Sequence, residues 1–167
     1  MAQQNSVCRV LCIEDNPGDF ALVENYIELA SSYNCRLDHV QTLNDALTYL
    51  SRHELDVILL DLNLPDARGL AGLNAILETG HQVPIIVLTG ESDEAVALQA
   101  IQVGAQDYLR KDELTAVVLQ RAIRYAKDEL EDFQGMGMSL LECSHRTDQY
   151  EEVHNEATAL VRELMEV

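Results

Sequence analysis

Five short apolar runs alternate with segments of helical period over the first 133 residues. "VCRVLCIE" (Val7 to Glu14) reads as a strand, and "PGDFALVENYIELASS" after it reads as a helix. Pro17 suits the first helical position, and Phe20, Val23, Ile27 and Ala30 share one face. "RLDHVQ" is a weaker second strand, followed by the helix "LNDALTYLSRH" with Thr42 as its cap. "DVILLD" is the third strand, and "LAGLNAILETG" is a helix that Gly80 stops. "VPIIVLTG" is the fourth strand. The helix "SDEAVALQAIQVGA" starts on Ser92 and ends near Gly104. "QDYLRK" is a short fifth strand, and "DELTAVVLQRAIRYAKDELEDF" is a long last helix with Asp112 at its cap.

Strict alternation of this kind predicts an α/β fold, a parallel sheet with helices on both faces and right-handed crossovers. The chain shows no internal repeat and no low-complexity tract. After Phe133 the pattern changes. "QGMGM" (Gln134 to Met138) should break or kink the helix, and a polar segment through Arg146 and Asp148 follows. Tyr150, Val153, Ala157, Leu160, Leu164 and Val167 then recur at spacings of three and four. That is a heptad seam over fewer than three heptads, open to two readings: a short coiled coil, or one amphipathic helix packed on its own domain. A seam this short buries little alone, so a homodimer to which the tail contributes contacts is expected.

A chain of 167 residues suits one domain with an appendage, here a tail over 1–6, a domain over 7–127 and a helical extension over 128–167. Acids outnumber bases 29 to 11, for a formal charge of −18. Such a charge repels phosphate backbones and anionic membranes, so no nucleic-acid or membrane partner is expected. The N-terminus is polar, its first apolar run is short, and no run approaches the length of a membrane span. Cys8, Cys12, Cys35 and Cys143 have no zinc spacing; on a strand, Cys8 and Cys12 would lie roughly 13 Å apart. Reduced buried thiols in a cytoplasmic protein are the expectation.

One run carries a contradiction. Val57 to Leu60 reads as fully buried, yet it ends on Asp61, with Pro65 and Gly69 after it. In an open α/β sheet, ligands bind beyond the carboxyl ends of the strands. The first strand ends in Glu14 and Asp15, the third in Asp61, the fourth in Thr89 and the fifth in Lys111. Each is an ordinary turn or cap residue alone; together they place three acids, a hydroxyl and an ammonium at one rim. Three clustered carboxylates repel unless a cation joins them, and hard oxygen ligands at this density suit Mg²⁺. A carboxylate can also attack phosphorus to give an aspartyl phosphate. In-line transfer needs its equatorial oxygens neutralised, for which Lys111 and the Thr89 hydroxyl are donors. Gly90 is small enough to let its backbone N–H approach the same oxygens.

With these residues, the chain resembles the receiver domain of two-component response regulators from about Val7 to about Lys127. The carriers are Glu14-Asp15, "DLNLPDARG" with Asp61, Pro65 and Gly69, then Thr89-Gly90, and "DYLRK" with Tyr108 and Lys111. The resemblance implies a flavodoxin-like, doubly wound five-stranded parallel sheet in the order 2-1-3-4-5. It implies phosphorylation of Asp61 by a histidine kinase or phosphotransfer protein. It implies Mg²⁺ held by Asp15, Asp61 and the carbonyl of Asn63, with Glu14 acting through water. It implies a switch in which Thr89 moves toward the phosphoryl group and Tyr108 turns inward, and a phosphate lifetime tuned by Asn63 and Glu91. The family usually follows its Lys with Pro across a cis peptide; here Asp112 follows Lys111. A cis bond without Pro costs about 3–4 kcal/mol, so a trans bond is expected.

The expected function is a phosphorylation-dependent regulator that signals by protein–protein interaction without a DNA-binding output. Its catalysis is limited to its own phosphorylation and dephosphorylation. An aspartate-nucleophile phosphatase would need a second acid two residues after the nucleophile, where Asn63 stands. A constitutive scaffold would not need the intact acids, Thr89 and Lys111. "SHRTDQY" around His145 lacks the acid that follows a kinase phosphoacceptor His, and no ATP-binding motif follows it. "LQRAIRYAKDELED" is similar to linker helices that lead from receivers into sensor or kinase modules, so a receiver portion of a longer hybrid protein is the alternative.

Overall fold

The computed structural model describes residues 7–29, 33–90 and 93–135, with side chains through residue 128. The chain divides into two units, Met1–Leu130 and Glu131–Val167, and the site lies in the first. Glu91, Ser92, Cys143, His145, the residues before Val7 and the seam from Tyr150 to Val167 lie outside the described residues.

Five strands and five helices alternate: β1 (Cys8–Ile13), α1 (Pro17–Leu29), β2 (Cys35–Val40), α2 (Leu43–Leu50), β3 (Val57–Asp61), α3 (Ala71–Glu78), β4 (Ile85–Thr89), α4 (Glu94–Val103), β5 (Asp107–Arg110) and α5 (Ala116–Gly135). A two-residue antiparallel ladder, Asn63–Leu64 with Ala67–Arg68, interrupts the connection from β3 to α3. The sheet is parallel throughout, in the order β2-β1-β3-β4-β5. Register pairs Ile13 with Val40 and Leu60, Asp61 with Leu88, and Thr89 with Arg110. The carboxyl ends of the strands are therefore level, and the residues that follow them share one rim.

Side chains alternate across a strand, so each central strand feeds two cores. Leu11, Ile13, Ile58, Leu60 and Val87 pack with Leu50, Leu73, Ile76 and Ala100 from α2, α3 and α4. Val10, Cys12, Leu59, Ile86 and Leu88 pack with Val23, Leu119, Ile123 and Ala126 from α1 and α5. Every residue of β3 and β4 is buried, which is why both read as continuous apolar runs rather than alternating ones. Truncating Ile58 to Ala would empty the centre of the first core and cost roughly 2–5 kcal/mol.

The helix ends explain where the chain enters and leaves the rim. Asn16 Oδ1 accepts from the backbone N–H groups of Gly18 and Asp19 at 2.9 and 3.1 Å, with Pro17 at the first helical position. Thr42 Oγ1 accepts from Asp45 N–H at 3.1 Å. The Asp66 carboxylate also reaches α2, accepting from the amides of Leu43 and Asn44 at 2.9 Å each. Those two bonds hold its carboxyl below the usual range. Gly80 takes φ +77° after α3, a conformation that strains any residue with a Cβ.

The assignment of Asp112 as the cap of the last helix is corrected. Lys111–Glu113 form a 3₁₀ turn, and α5 starts at Ala116 after Thr115, whose Oγ1 accepts from Val118 N–H at 3.2 Å. Asp112 turns instead to Arg110, at 2.9 Å. A charged partner two residues back outcompeted the helix amides for its carboxylate. No peptide bond among the described residues is cis, so Lys111–Asp112 is trans.

Candidate functional site

Glu14, Asp15 and Asp61 each offer one carboxylate oxygen, and these oxygens lie within 4.8 Å of one another. Glu14 is fully buried, Asp61 is 5% exposed, and Asp15 faces solvent. Lys111 closes the set: its Nζ lies 2.8 Å from Glu14 Oε2, 2.9 Å from Asp19 Oδ2 and 3.3 Å from Asp61 Oδ2. Burial alone would push the Lys111 ammonium down, but Glu14, Asp19 and Asp61 outweigh it and hold it above its usual value.

Glu14 is pushed up to about 7, first by burial and then by the neighbouring Asp61, against the opposing pull of Lys111. Its Oε1 accepts from Asn16 N–H at 3.1 Å. Its carbonyl oxygen lies 2.7 Å from His39 Nε2, and the His39 ring stacks on Phe20 with centroids 3.7 Å apart. The turn after β1 is thus fixed by a side chain from the end of β2.

Asp61 Oδ1 accepts from Asn63 N–H at 3.1 Å, which orients the carboxylate where β3 ends. The exposed Asn63 side chain donates to Asp93 Oδ2 at 3.0 Å. Thr89 is 1% exposed, and its hydroxyl donates to the Leu109 carbonyl of β5 at 3.4 Å, a weak bond. Among the described residues, a Cβ on Gly90 would meet Asp93 Oδ2 at an ordinary 3.7 Å, and its φ is not in the left-handed region. Tyr108 is half-buried against the α2–α3–α4 core, and burial raises its phenol.

The three acids and Lys111 read from the sequence therefore converge. Thr89 and Tyr108 stand on β4 and β5, Thr89 with its hydroxyl on the Leu109 carbonyl rather than on Asp61. Asp19, Asp93 and His39 were missed. The first two looked like ordinary first-turn acids, and only tertiary structure brings Asp19 to a lysine 92 positions away.

The donor set suits a small hard cation. Three carboxylates share a pocket in which Lys111 faces Glu14 and Asp61, and burial followed by the neighbouring Asp61 raises Glu14.

Comparisons with known proteins agree. The model of the response regulator receiver domain matches residues 10–124. The regulatory protein LuxO of Vibrio cholerae is 35% identical over 117 residues, which is 68% of this chain and 25% of that protein. The regulatory protein VanR of Enterococcus faecium is 32% identical over 123 residues, 71% of this chain and 52% of VanR. The DNA-binding transcriptional regulator NtrC of Proteus hauseri is 39% identical over 90 residues, 52% of this chain and 19% of NtrC. This chain thus spans from a fifth to half the length of these relatives. Among solved structures, the signal receiver domain of a LuxO repressor protein from Vibrio parahaemolyticus superposes with a TM-score of 0.66 at 29% identity, covering 77% of this chain and 97% of that one. The receiver domain of a sensor histidine kinase from Pseudomonas aeruginosa, solved with magnesium coordinated in its active-site cleft, superposes at 0.62 with 30% identity, covering 74% and 99%. Sheet order, acidic rim and family match agree, and the chain belongs to the response regulator receiver domain family.

Proposed function

We propose that this chain accepts a phosphoryl group on Asp61 from a histidine kinase or a histidine phosphotransfer protein. The observation that carries the reading is the position of Asp61, at the end of a buried strand with Lys111 Nζ 3.3 Å from its Oδ2. The Asp61 carboxylate forms the new O–P bond while the bond from phosphorus to the donor's imidazole nitrogen breaks. Lys111 then faces the charge gained by the phosphoryl oxygens. Asp15, Asp61 and the Asn63 carbonyl would hold Mg²⁺, with Glu14 behind it through water; when bound, the ion supplies charge neutralisation at those oxygens. Thr89, the Gly90 amide and Tyr108 are the proposed switch groups, and Asn63 and Glu91 the residues that set the lifetime of the phosphate. The chemistry is confined to gain and loss of this one phosphate.

The proposed output is protein–protein interaction in the cytoplasm, since a charge of −18 repels nucleic acid. DNA binding, where a longer protein has it, would belong to residues other than these. Incubation with acetyl phosphate or phosphoramidate and Mg²⁺ is expected to add one phosphate, and Asp61→Asn to abolish it. Labelling that survives in the variant overturns the assignment.

Homodimerisation is proposed as part of the output. Val117, Val118 and Tyr125 of α5 are exposed apolar side chains, and the seam from Tyr150 to Val167 adds a further apolar stripe. Sedimentation equilibrium of the full chain, with and without beryllofluoride, tests it. A monomer in both states at tens of micromolar rejects the dimer.

A further inference from the structure

Cys8 and Cys35 are the first residues of β1 and β2, and the parallel register places them directly opposite each other. Both side chains lie on the α1–α5 face of the sheet, Cys8 fully buried and Cys35 half-buried beside it. Neighbouring strands run about 4.8 Å apart, which falls within the roughly 4.4–6.8 Å between Cα atoms that a disulfide spans. Each thiol is the largest influence on the other's ionisation. They stand six residues before the acidic rim along β1, on the order of 20 Å away at strand rise, so they take no part in the chemistry there.

Cys35 lines a small cleft with Tyr26, Ile27, Tyr33, Gln120 and Ile123. The cleft holds about 10 Å³, the room of roughly one water molecule. A bulky disulfide such as oxidised glutathione does not fit that space; hydrogen peroxide is little larger than water.

We propose that Cys8 and Cys35 form a reversible dithiol–disulfide site that hydrogen peroxide oxidises through the cleft beside Cys35. The Cys35 sulfur attacks one peroxide oxygen as its proton passes to the Cys8 thiolate, the O–O bond breaks, and the departing hydroxide takes that proton from Cys8 to leave as water. Cys35 becomes a sulfenic acid. The Cys8 thiolate then attacks the Cys35 sulfur, the S–O bond breaks, and a second water leaves. Two thiols and one peroxide thus give one disulfide and two waters. The setting favours the first step. The neighbouring Cys35 thiol, aided by Tyr33, holds Cys8 below the usual thiol value despite burial, and Cys8 together with burial pushes Cys35 up, so the pair shares one proton with the thiolate on Cys8, placed to take the Cys35 proton. Cys12, buried on the same strand with no thiol partner among the described residues, is pushed far up by burial and by Glu14.

The test uses the full chain with Cys143→Ser in every arm, titrated with hydrogen peroxide and quenched by alkylation. Expected is a loss of two hydrogens in the intact mass and a Cys8–Cys35 cross-linked peptide under non-reducing digestion, both reversed by dithiothreitol. In Cys8→Ser the cross-link is lost, and Cys35 instead takes a dimedone adduct, which also shows that the variant retains its reactive partner. Far-UV circular dichroism confirms that the variant is folded. Three results overturn the proposal: a disulfide mapped to Cys12, an intermolecular disulfide, or two alkylatable thiols at Cys8 and Cys35 after peroxide treatment that oxidises free cysteine.

Discussion

Lys111 Nζ lies 3.3 Å from Asp61 Oδ2, yet 2.8 Å from Glu14 Oε2, so its tightest pairing is with a neighbour of the proposed acceptor. Glu14 is the acid with no access to solvent, and the ammonium is the positive group that faces it. Lys111 therefore offsets a buried charge in the resting protein and stands where it would face a phosphoryl group accepted by Asp61. A cation entering between the acids would share the first task and release Lys111 toward the second.

Replacing Lys111 with Ala separates these tasks. Without metal at pH 8, Glu14 is left buried and uncompensated, and removal of one partner of a buried pair costs about 3 kcal/mol or more. Added Mg²⁺ is expected to restore more stability to Lys111→Ala than to the wild type, while phosphorylation by acetyl phosphate remains slow. Thermal melts with EDTA and with millimolar Mg²⁺ measure the first effect, and intact-mass kinetics the second. Equal Mg²⁺ increments in the two proteins would mean that Lys111 does not offset Glu14.

The raised Glu14 carboxyl makes a pH prediction. Its value goes from an ordinary 4.5 to about 7 in the folded chain, so folding favours its protonated form. That contribution is fully present below pH 4.5 and is lost as pH rises through about 7. In EDTA, the stability of the wild type relative to Glu14→Gln is expected to fall between pH 5 and pH 8. Denaturant melts at each pH read the difference, and a pH-independent difference across that window would refute the assignment.

Asp15 and Glu14 differ in exposure, and their variants should differ in metal binding. Asp15 faces solvent with its oxygen in the cluster; Glu14 is fully buried and already engaged by Lys111 and the Asn16 amide. Asp15→Ala is expected to weaken Mg²⁺ binding at least about tenfold, or about 1.4 kcal/mol, and Glu14→Ala by less. Isothermal titration at pH 8 compares them. Equal losses would place both acids in direct contact with the ion.

The strands and the acidic rim were legible because buried parallel strands leave unbroken apolar runs, and because strand ends fix where chemistry can sit. Helix starts were less so. Thr42 and Asn16 cap through bonds two or three residues long, visible in a local pattern, and Thr42 was read from it. Asp112 carries the same local signal but binds Arg110, and a side chain's choice between two nearby partners is not written in spacing. The partners of Lys111 and Asn63 lie 92 and 30 residues away, and Cys8 meets Cys35 only through strand register. Such pairings exist once the sheet order is set, and no periodicity encodes them.

The loop after β3 is held unequally on its two sides. Toward α2, the Asp66 carboxylate grips two backbone amides; toward α4, among the described residues, one bond joins the exposed Asn63 side chain to the half-buried Asp93. Displacing the first flank breaks two charge-assisted bonds to main chain, and displacing the second breaks one between side chains that water can solvate at once. Bulk and charge added at Asp61 would therefore meet an anvil on one side and a latch on the other. The response would then have a preferred direction, set by the neighbours of the acceptor rather than by the acceptor itself.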